Sequence, residues 1–264
     1  MCRHLAYLGP PVPLAAVLVD PPHGLVRQSY APADMRGGGT INADGFGAAW
    51  YPEGEGGPGG DGRAGGAGGV VRYRSDRPMW ADESFAAMAA VTRSGAVLAA
   101  VRSATVGMAV TTSAAAPFTE GRFAFSHNGV VPGWPVSVTG PASGLPVVDL
   151  LTLDAPTDSA LLWALVRHRL RAGEEPGAAL AAVVAEVAAA APGSRLNLLL
   201  TDGTGIWATT WGHALSVRVD ARHALVASEP TDHGPGWEAV PDRHLVTARP
   251  GRRHVHALAT TGVR

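Results

Sequence analysis

Apolar and polar positions along the chain fall into short, well-separated periods. Residues 2–9, CRHLAYLG, mix small and apolar side chains and stop at Gly9-Pro10-Pro11, which reads as a short buried strand. A brief helix is expected from Pro13 to Val19. Residues 40–51, TINADGFGAAWY, read as a strand with a glycine-permitted kink, and VVRYRSD, from Val70, as the strand that returns. Asp82 to Arg93 carries Phe85, Met88, Ala89 and Val91 as the apolar members of a helix. VLAAVR, 97–102, is a continuous apolar strand ending in a charge, and RFAFSHNG, 122–129, alternates and runs into a turn. Thr157-Asp158-Ser159 caps a helix through Leu170 with Leu161, Leu162, Leu165 and Val166 on its apolar face. A second helix runs from about Gly177 to Ala191. RLNLLLTD, GIWATTW, ALSVRV, HALVAS and HLVTA then follow with turn signals between them, the spacing of antiparallel strands. Strands, two helices, then strands predict an α+β chain: two antiparallel sheets with helices packed outside them.

The segments without periodicity set the boundaries. Residues 54–69, GEGGPGGDGRAGGAGG, hold nothing that builds a core and are expected to be a flexible hairpin tip. They lack the Gly-Lys-Ser/Thr ending of a phosphate loop. Nothing marks a second domain, so residues 1–264 are expected to form one, with a loose tail from Arg249. A chain of 264 residues can bury one sizeable core. Charged residues make up only 16% and the net charge is −1, so no basic face for nucleic acid or an anionic membrane is expected. The Ala-rich run at 178–191 is interrupted by Glu186 and closed by Pro192-Gly193, so it reads as a helix of a globular domain rather than a membrane span. One cysteine allows no intrachain disulfide, and Arg3-His4 near the start is not followed by the apolar run of a secretory leader. A cytoplasmic place is expected. His223, His233, His244, His254 and His256 are not joined by Cys or paired carboxylates at a ligand spacing, so no metal and no cofactor are expected. The oligomeric state stays open.

That single cysteine is Cys2, directly after the initiator methionine. Removing Met1 would expose an α-amine on the residue that carries the thiol. Such an amine has a pKa of about 7.7–8.0, near the working pH where a general base is most useful. A thiol nucleophile also needs an oxyanion hole and a substrate clamp. Asn128 offers a side-chain N–H, and Gly129 a backbone N–H that no side chain shields. The same two residues suit a plain Asn-Gly turn. Arg102, at a strand end, suits a carboxylate held by forked hydrogen bonds, and Thr105 adds a hydroxyl. Asp158 suits an ammonium group and equally a helix N-terminus.

Taken in order, Cys2, Asn42-Ala43-Asp44-Gly45-Phe46-Gly47, Arg102 with Thr105, Ser126-His127-Asn128-Gly129 and Thr157-Asp158-Ser159 resemble the class II glutamine amidotransferases of the N-terminal nucleophile type. The resemblance runs to about residue 248 and leaves no synthase domain attached. It implies a four-layer αββα sandwich. It implies Cys2 as nucleophile and base, Asn128 and Gly129 as the oxyanion hole, Arg102 and Thr105 as the carboxylate site, and Asp158 as the amine site. MCRHLAYLGPP, RQSYAP, NADGFGAAWY, AAVRSAT, AAAPF, FSHNG and LLTLDAPTDSALL are similar to the stand-alone branch that acts in ergothioneine biosynthesis. That branch implies a small-molecule γ-glutamyl substrate, the amide of hercynylcysteine sulfoxide, cleaved to release glutamate. Ser103 and Ala115-Ala116-Pro117-Phe118 depart from the broad family's aromatic residue and Asn-x-His-Pro pattern, which suits a substrate larger than glutamine. Its leaving group carries a trimethylammonium, for which Trp50, Tyr30 and Trp80 are the candidate aromatic faces. Two other readings stand beside this one: a glutaminase subunit that delivers ammonia to a separate synthase, and a catalytically silent binding protein of the same fold.

Overall fold

A computed structural model describes residues 2–34, 41–52 and 69–259. The Gly-rich segment, all but its last residue, and the chain end from 260 lie outside the described residues. In chain order the strands are β1 (Arg3–Pro13), β2 (Phe46–Trp50), β3 (Val71–Ser75), β4 (Arg93–Val101), β5 (Phe118–Glu120), β6 (Phe123–Val130), β7 (Arg195–Thr201), β8 (Ile206–Thr210), β9 (Ser216–Val219), β10 (Ala224–Ala227), β11 (Glu238–Ala239), β12 (His244–Arg249) and β13 (Arg252–Ala257). The α-helices are α1 (Leu14–Leu18), α2 (Leu25–Tyr30), α3 (Glu83–Val91), α4 (Thr139–Ser143), α5 (Val147–Leu151), α6 (Asp158–Arg171) and α7 (Pro176–Ala190). One sheet has the order β11-β9-β10-β1-β4-β2-β3 and the other β13-β12-β8-β7-β6-β5. Neighbouring strands pair antiparallel, as in the β1–β4 and β6–β7 ladders.

The period-two alternation of the strands sorts side chains into layers. Leu5 and Tyr7 of β1, Phe46 and Ala48 of β2, and Val97, Ala99 and Val101 of β4 face α1, α2 and α3. The alternate residues Ala6, Leu8, Ala49, Ala96 and Leu98 face Ala124, Leu199, Ile206, Ala208 and Val246 of the other sheet. On the far side of that sheet, Phe125, Leu196, Leu198, Leu200 and Trp207 pack against α6 and α7. The small side chains between the sheets allow a close approach, and the result is the four-layer αββα sandwich. α7 follows the helical rule, with Leu180, Val183, Val184 and Val187 buried on one stripe. No described helix is long and apolar enough to cross a membrane.

The expected loose tail from Arg249 is corrected. Residues 252–257 form β13, paired with β12 from Arg249↔Arg252 to His244↔Ala257. Pro250-Gly251 makes the turn, and Gly251 takes a φ of 73° that suits glycine. β13 is a mostly exposed edge strand of Arg and His, so it shows no apolar period, and its charges guard the sheet edge.

At one end the alanine layer gives way to polar side chains that bridge the sheets. His4 Nδ1 meets Ser126 Oγ at 2.7 Å, and Asn128 Nδ2 donates to Ser228 Oγ at 3.2 Å. His4 is 1% exposed. Burial, reinforced by His127, His213 and Arg3 nearby, pushes its imidazole down to about 3. An unfolded histidine near 6.5 takes up a proton that the folded one refuses. Folding therefore loses stability as pH falls below about 6.5, by about 2 kcal/mol between pH 7 and pH 5. Urea unfolding at the two pH values is expected to show this loss in the wild type and a smaller one in His4→Gln. Parallel profiles would contradict it.

Candidate active site

The first sheet aligns three strand ends in one row. Arg3 of β1 is opposite Val101 of β4, which is opposite Phe46 of β2. Cys2, Arg102 and Gly45 are the next residues outward on those three strands. Cys2 is a partly buried free thiol whose S–H points to the Ser103 carbonyl at 3.7 Å. Its own carbonyl accepts from Arg3 Nη1 at 3.0 Å. Arg3 is fixed in turn by Glu229 (Nε to Oε1, 2.7 Å) and by the carbonyl of Asp34. Glu229 also accepts from His23 Nε2 at 2.6 Å and from the backbone N–H groups of Ala33 and Asp34. Burial would raise the Glu229 carboxyl, but these donors overcome it and hold it below the usual range. Cys2 is thereby anchored by a buried guanidinium–carboxylate pair.

Arg102 is 9% exposed. Its backbone is locked to the Asp44-Gly45 loop by Arg102 N–H to Gly45 O, 2.8 Å, and Asp44 N–H to Arg102 O, 3.0 Å. Its guanidinium donates to the carbonyls of Ala109, 2.9 Å, and Asp44, 3.5 Å. Among the described residues it has no carboxylate partner. A buried guanidinium met only by carbonyls is suited to receive a carboxylate. Thr105, expected to share this task, lies in an exposed turn closed by Met108 N–H to Thr105 O, and its hydroxyl makes no hydrogen bond among the described residues.

The second sheet supplies Asn128 and Gly129. Of the two readings open to them, the plain Asn-Gly turn fails: both residues stay in β6, paired with Asn197 and Leu196 of β7. Gly129 is needed for close approach, because a Cβ there would collide with the Arg195 carbonyl and His127 Nε2. His127 has both nitrogens in use. Nε2 faces the Arg195 carbonyl at 2.9 Å, so it carries the proton, and Nδ1 receives the Ser159 hydroxyl at 3.0 Å. It ties β6 to β7 and α6 and is not free to act as a base. Asn128 is fully buried; its Nδ2 reaches Ser228 and its Oδ1 has no partner.

Asp158 opens α6, 5% exposed, with Oδ2 accepting from Val131 N–H at 3.1 Å, two residues past Gly129. Oδ1 accepts from Ser159 N–H at 2.8 Å. The cap itself is Thr157, whose hydroxyl accepts from Ala160 N–H at 3.2 Å. The capping role expected for the Thr157–Ser159 segment thus falls to Thr157, and the Asp158 carboxylate sits where α6 meets the end of β6.

The aromatic candidates separate. Trp50 is corrected to a core residue: it is 8% exposed on the helix-facing side of β2, because its place in the alternation turns it inward. Tyr30 and Trp80 do come together, edge to face with centroids 5.7 Å apart, each 41% exposed. The Arg27 guanidinium already lies 5.2 Å over the Tyr30 ring, which disfavours a second cation on that ring. Sequence reasoning missed Ser228 and Glu229. They follow the apolar strand ALVA directly, and their partners His4 and Arg3 lie more than 200 residues away in the chain. A cavity of about 380 Å³ lies against these two residues, with His23, Asp34 and Asp232 also in its wall.

The fold is that of an amidotransferase-type hydrolase, and this constellation is its candidate site. The chain belongs to the class-II glutamine amidotransferases, whose family model matches residues 17–220. It is 44% identical over 250 residues, 94% of this chain and 96% of the relative, to a protein of Mycolicibacterium smegmatis named gamma-glutamyl-hercynylcysteine sulfoxide hydrolase. A Mycobacterium tuberculosis protein of the same name is 42% identical over 93% of this chain and 92% of its own length. Among solved structures, a glutamine aminotransferase class-II domain protein from Silicibacter pomeroyi superposes with a TM-score of 0.67 at 23% identity, covering 98% of this chain and 100% of that one. The glutamine phosphoribosylpyrophosphate amidotransferase of B. subtilis gives 0.62 at 12% identity, over 98% of this chain and 49% of that one. These last two likenesses concern the fold.

Proposed function

We propose that this protein hydrolyses the γ-glutamyl amide bond of γ-glutamyl-hercynylcysteine sulfoxide, releasing glutamate and hercynylcysteine sulfoxide. The observation that carries the reading is the strand-end row: a cysteine at position two beside a buried arginine that lacks a carboxylate partner among the described residues. Relatives of that name spanning nearly the whole chain support the particular substrate. With Met1 removed, the Cys2 α-amine takes the thiol proton as sulfur attacks the γ-carbonyl. Asn128 and Gly129 stabilise the oxyanion. The amide C–N bond then breaks, the leaving amine takes the proton back from the Cys2 ammonium, and water hydrolyses the γ-glutamyl thioester to free glutamate and thiol. Arg102, with Thr105, receives the glutamyl carboxylate, and Asp158 its ammonium. The single domain acts in the cytoplasm on a small molecule, with no nucleic acid or membrane as partner.

Incubating the Met1-processed protein, verified by intact mass, with a panel of γ-glutamyl amides tests this directly. Glutamate release is expected, and EDTA is expected to leave its rate unchanged. No glutamate from any amide would refute the reading and favour the silent binding protein. The clamp has its own test. Arg102→Ala and Asp158→Asn each remove one charge-assisted contact and are expected to raise KM about 10- to 100-fold for every γ-glutamyl substrate, whatever the leaving amine. Asp158→Asn keeps an oxygen for the Val131 N–H, so an unchanged KM there would leave Asp158 only its structural role.

A further inference from the structure

The nucleophile and the oxyanion donor stand on different sheets. Cys2 leads into β1 of one sheet, and Asn128 lies on β6 of the other. Catalytic groups need to be held within about 0.5 Å, so the polar links that cross between the sheets at this end control the chemistry. One of them, Ser228 to Asn128, touches the oxyanion donor itself. Ser228 is bound to the nucleophile strand by two bonds, its N–H to the His4 carbonyl at 2.9 Å and the His4 N–H to its Oγ at 3.0 Å. His4 is two residues from Cys2. Asn128 Oδ1 has no partner among the described residues, so the carboxamide is anchored at its nitrogen alone, on Ser228. An amide nitrogen carries two N–H donors, and with one on Ser228 the other is left for a ligand.

We propose that Ser228 is a positioning residue for the hydrolysis: its Oγ ties the Asn128 carboxamide to the strand that carries Cys2 and thereby aims the remaining N–H at the developing oxyanion. This rests on the oxyanion role given to Asn128 above. Ser228→Ala removes the tie without touching substrate. It is expected to lower kcat by about 10- to 100-fold, with KM within about twofold of wild type. Ser228 lines the adjoining cavity, and Ser228→Thr keeps the hydroxyl. It is expected to restore most of kcat. In an Asn128→Ala background, Ser228→Ala is expected to add less than about twofold, because the group it positions is gone.

The experiment is this double-mutant cycle, read as kcat and KM, together with the side-chain amide signal of Asn128 in ¹⁵N-labelled protein, identified by its loss in Asn128→Ala. That signal is expected to shift in Ser228→Ala and return in Ser228→Thr. If the alanine variant does not fold, Ser228→Cys keeps the volume with a weak acceptor and is expected to show the same loss of kcat. A wild-type kcat in the folded variant, a rise in KM alone, or a full multiplicative loss in the double variant would overturn the proposal. A wild type that cleaves no γ-glutamyl amide would remove the hydrolysis reading instead, and an unmoved Asn128 amide signal would then overturn the tie on its own.

Discussion

Cys2→Ala is expected to release no measurable glutamate while still binding substrate. Removing a nucleophile that acts together with its own base costs a rate factor on the order of 10⁴ or more. The fold should survive, because Cys2 precedes β1 and, among the described residues, its thiol hydrogen-bonds the Ser103 carbonyl alone. Its anchor is the backbone carbonyl held by Arg3, which an alanine keeps. Calorimetric titration with substrate is therefore expected to give an affinity near that of wild type, and the glutamate assay a flat line. Protein that retains Met1 is expected to behave similarly, since its α-amine sits one residue too far from the thiol. Turnover of Cys2→Ala at a rate comparable to wild type would contradict covalent catalysis by this residue.

Asn128→Ala is expected to lower kcat by about 10²–10³-fold with little change in KM. The lost hydrogen bond strengthens as the carbonyl oxygen gains charge, so the transition state suffers more than the ground state. Asn128 is fully buried and its side chain bonds only Ser228 among the described residues, so truncation leaves few groups unpaired. Steady-state kinetics with one γ-glutamyl amide separates the outcomes. A large rise in KM at unchanged kcat would assign Asn128 to ground-state binding.

Most of the architecture was legible because strand alternation survives in the sequence wherever one face is buried. Residues 97–101 and 198–200 are apolar on both faces, as strands in the middle of a four-layer stack must be, and α7 shows its stripe at 180, 183, 184 and 187. β13 was not legible, because an exposed edge strand of Arg and His has nothing to alternate. Asn128-Gly129 suits a turn as well as a strand end on local chemistry, and the close approach of Arg195 uses the same missing side chain for strand packing. Cys2, Arg102 and Asp158 were legible as candidate chemistry because each is an unusual residue at an informative place: the position after the first methionine, a strand end and a helix start. Trp50 was misread, since β2 is buried on both faces and either parity of its alternation places the ring inside the protein. Ser228 and Glu229 act through contacts more than 200 residues away in the chain, with His4 and Arg3, and no local pattern announces them.

The leaving amine of the substrate is expected to be the betaine-bearing sulfoxide rather than ammonia. The most direct measurement is the pair of specificity constants, kcat/KM, for glutamate release from γ-glutamyl-hercynylcysteine sulfoxide and from free glutamine, with the same Met1-processed wild-type preparation. The expected result is a wide margin in favour of the sulfoxide, because glutamine offers nothing beyond the glutamyl clamp. Equal constants for the two substrates would contradict the account and favour a glutaminase that delivers ammonia to a partner.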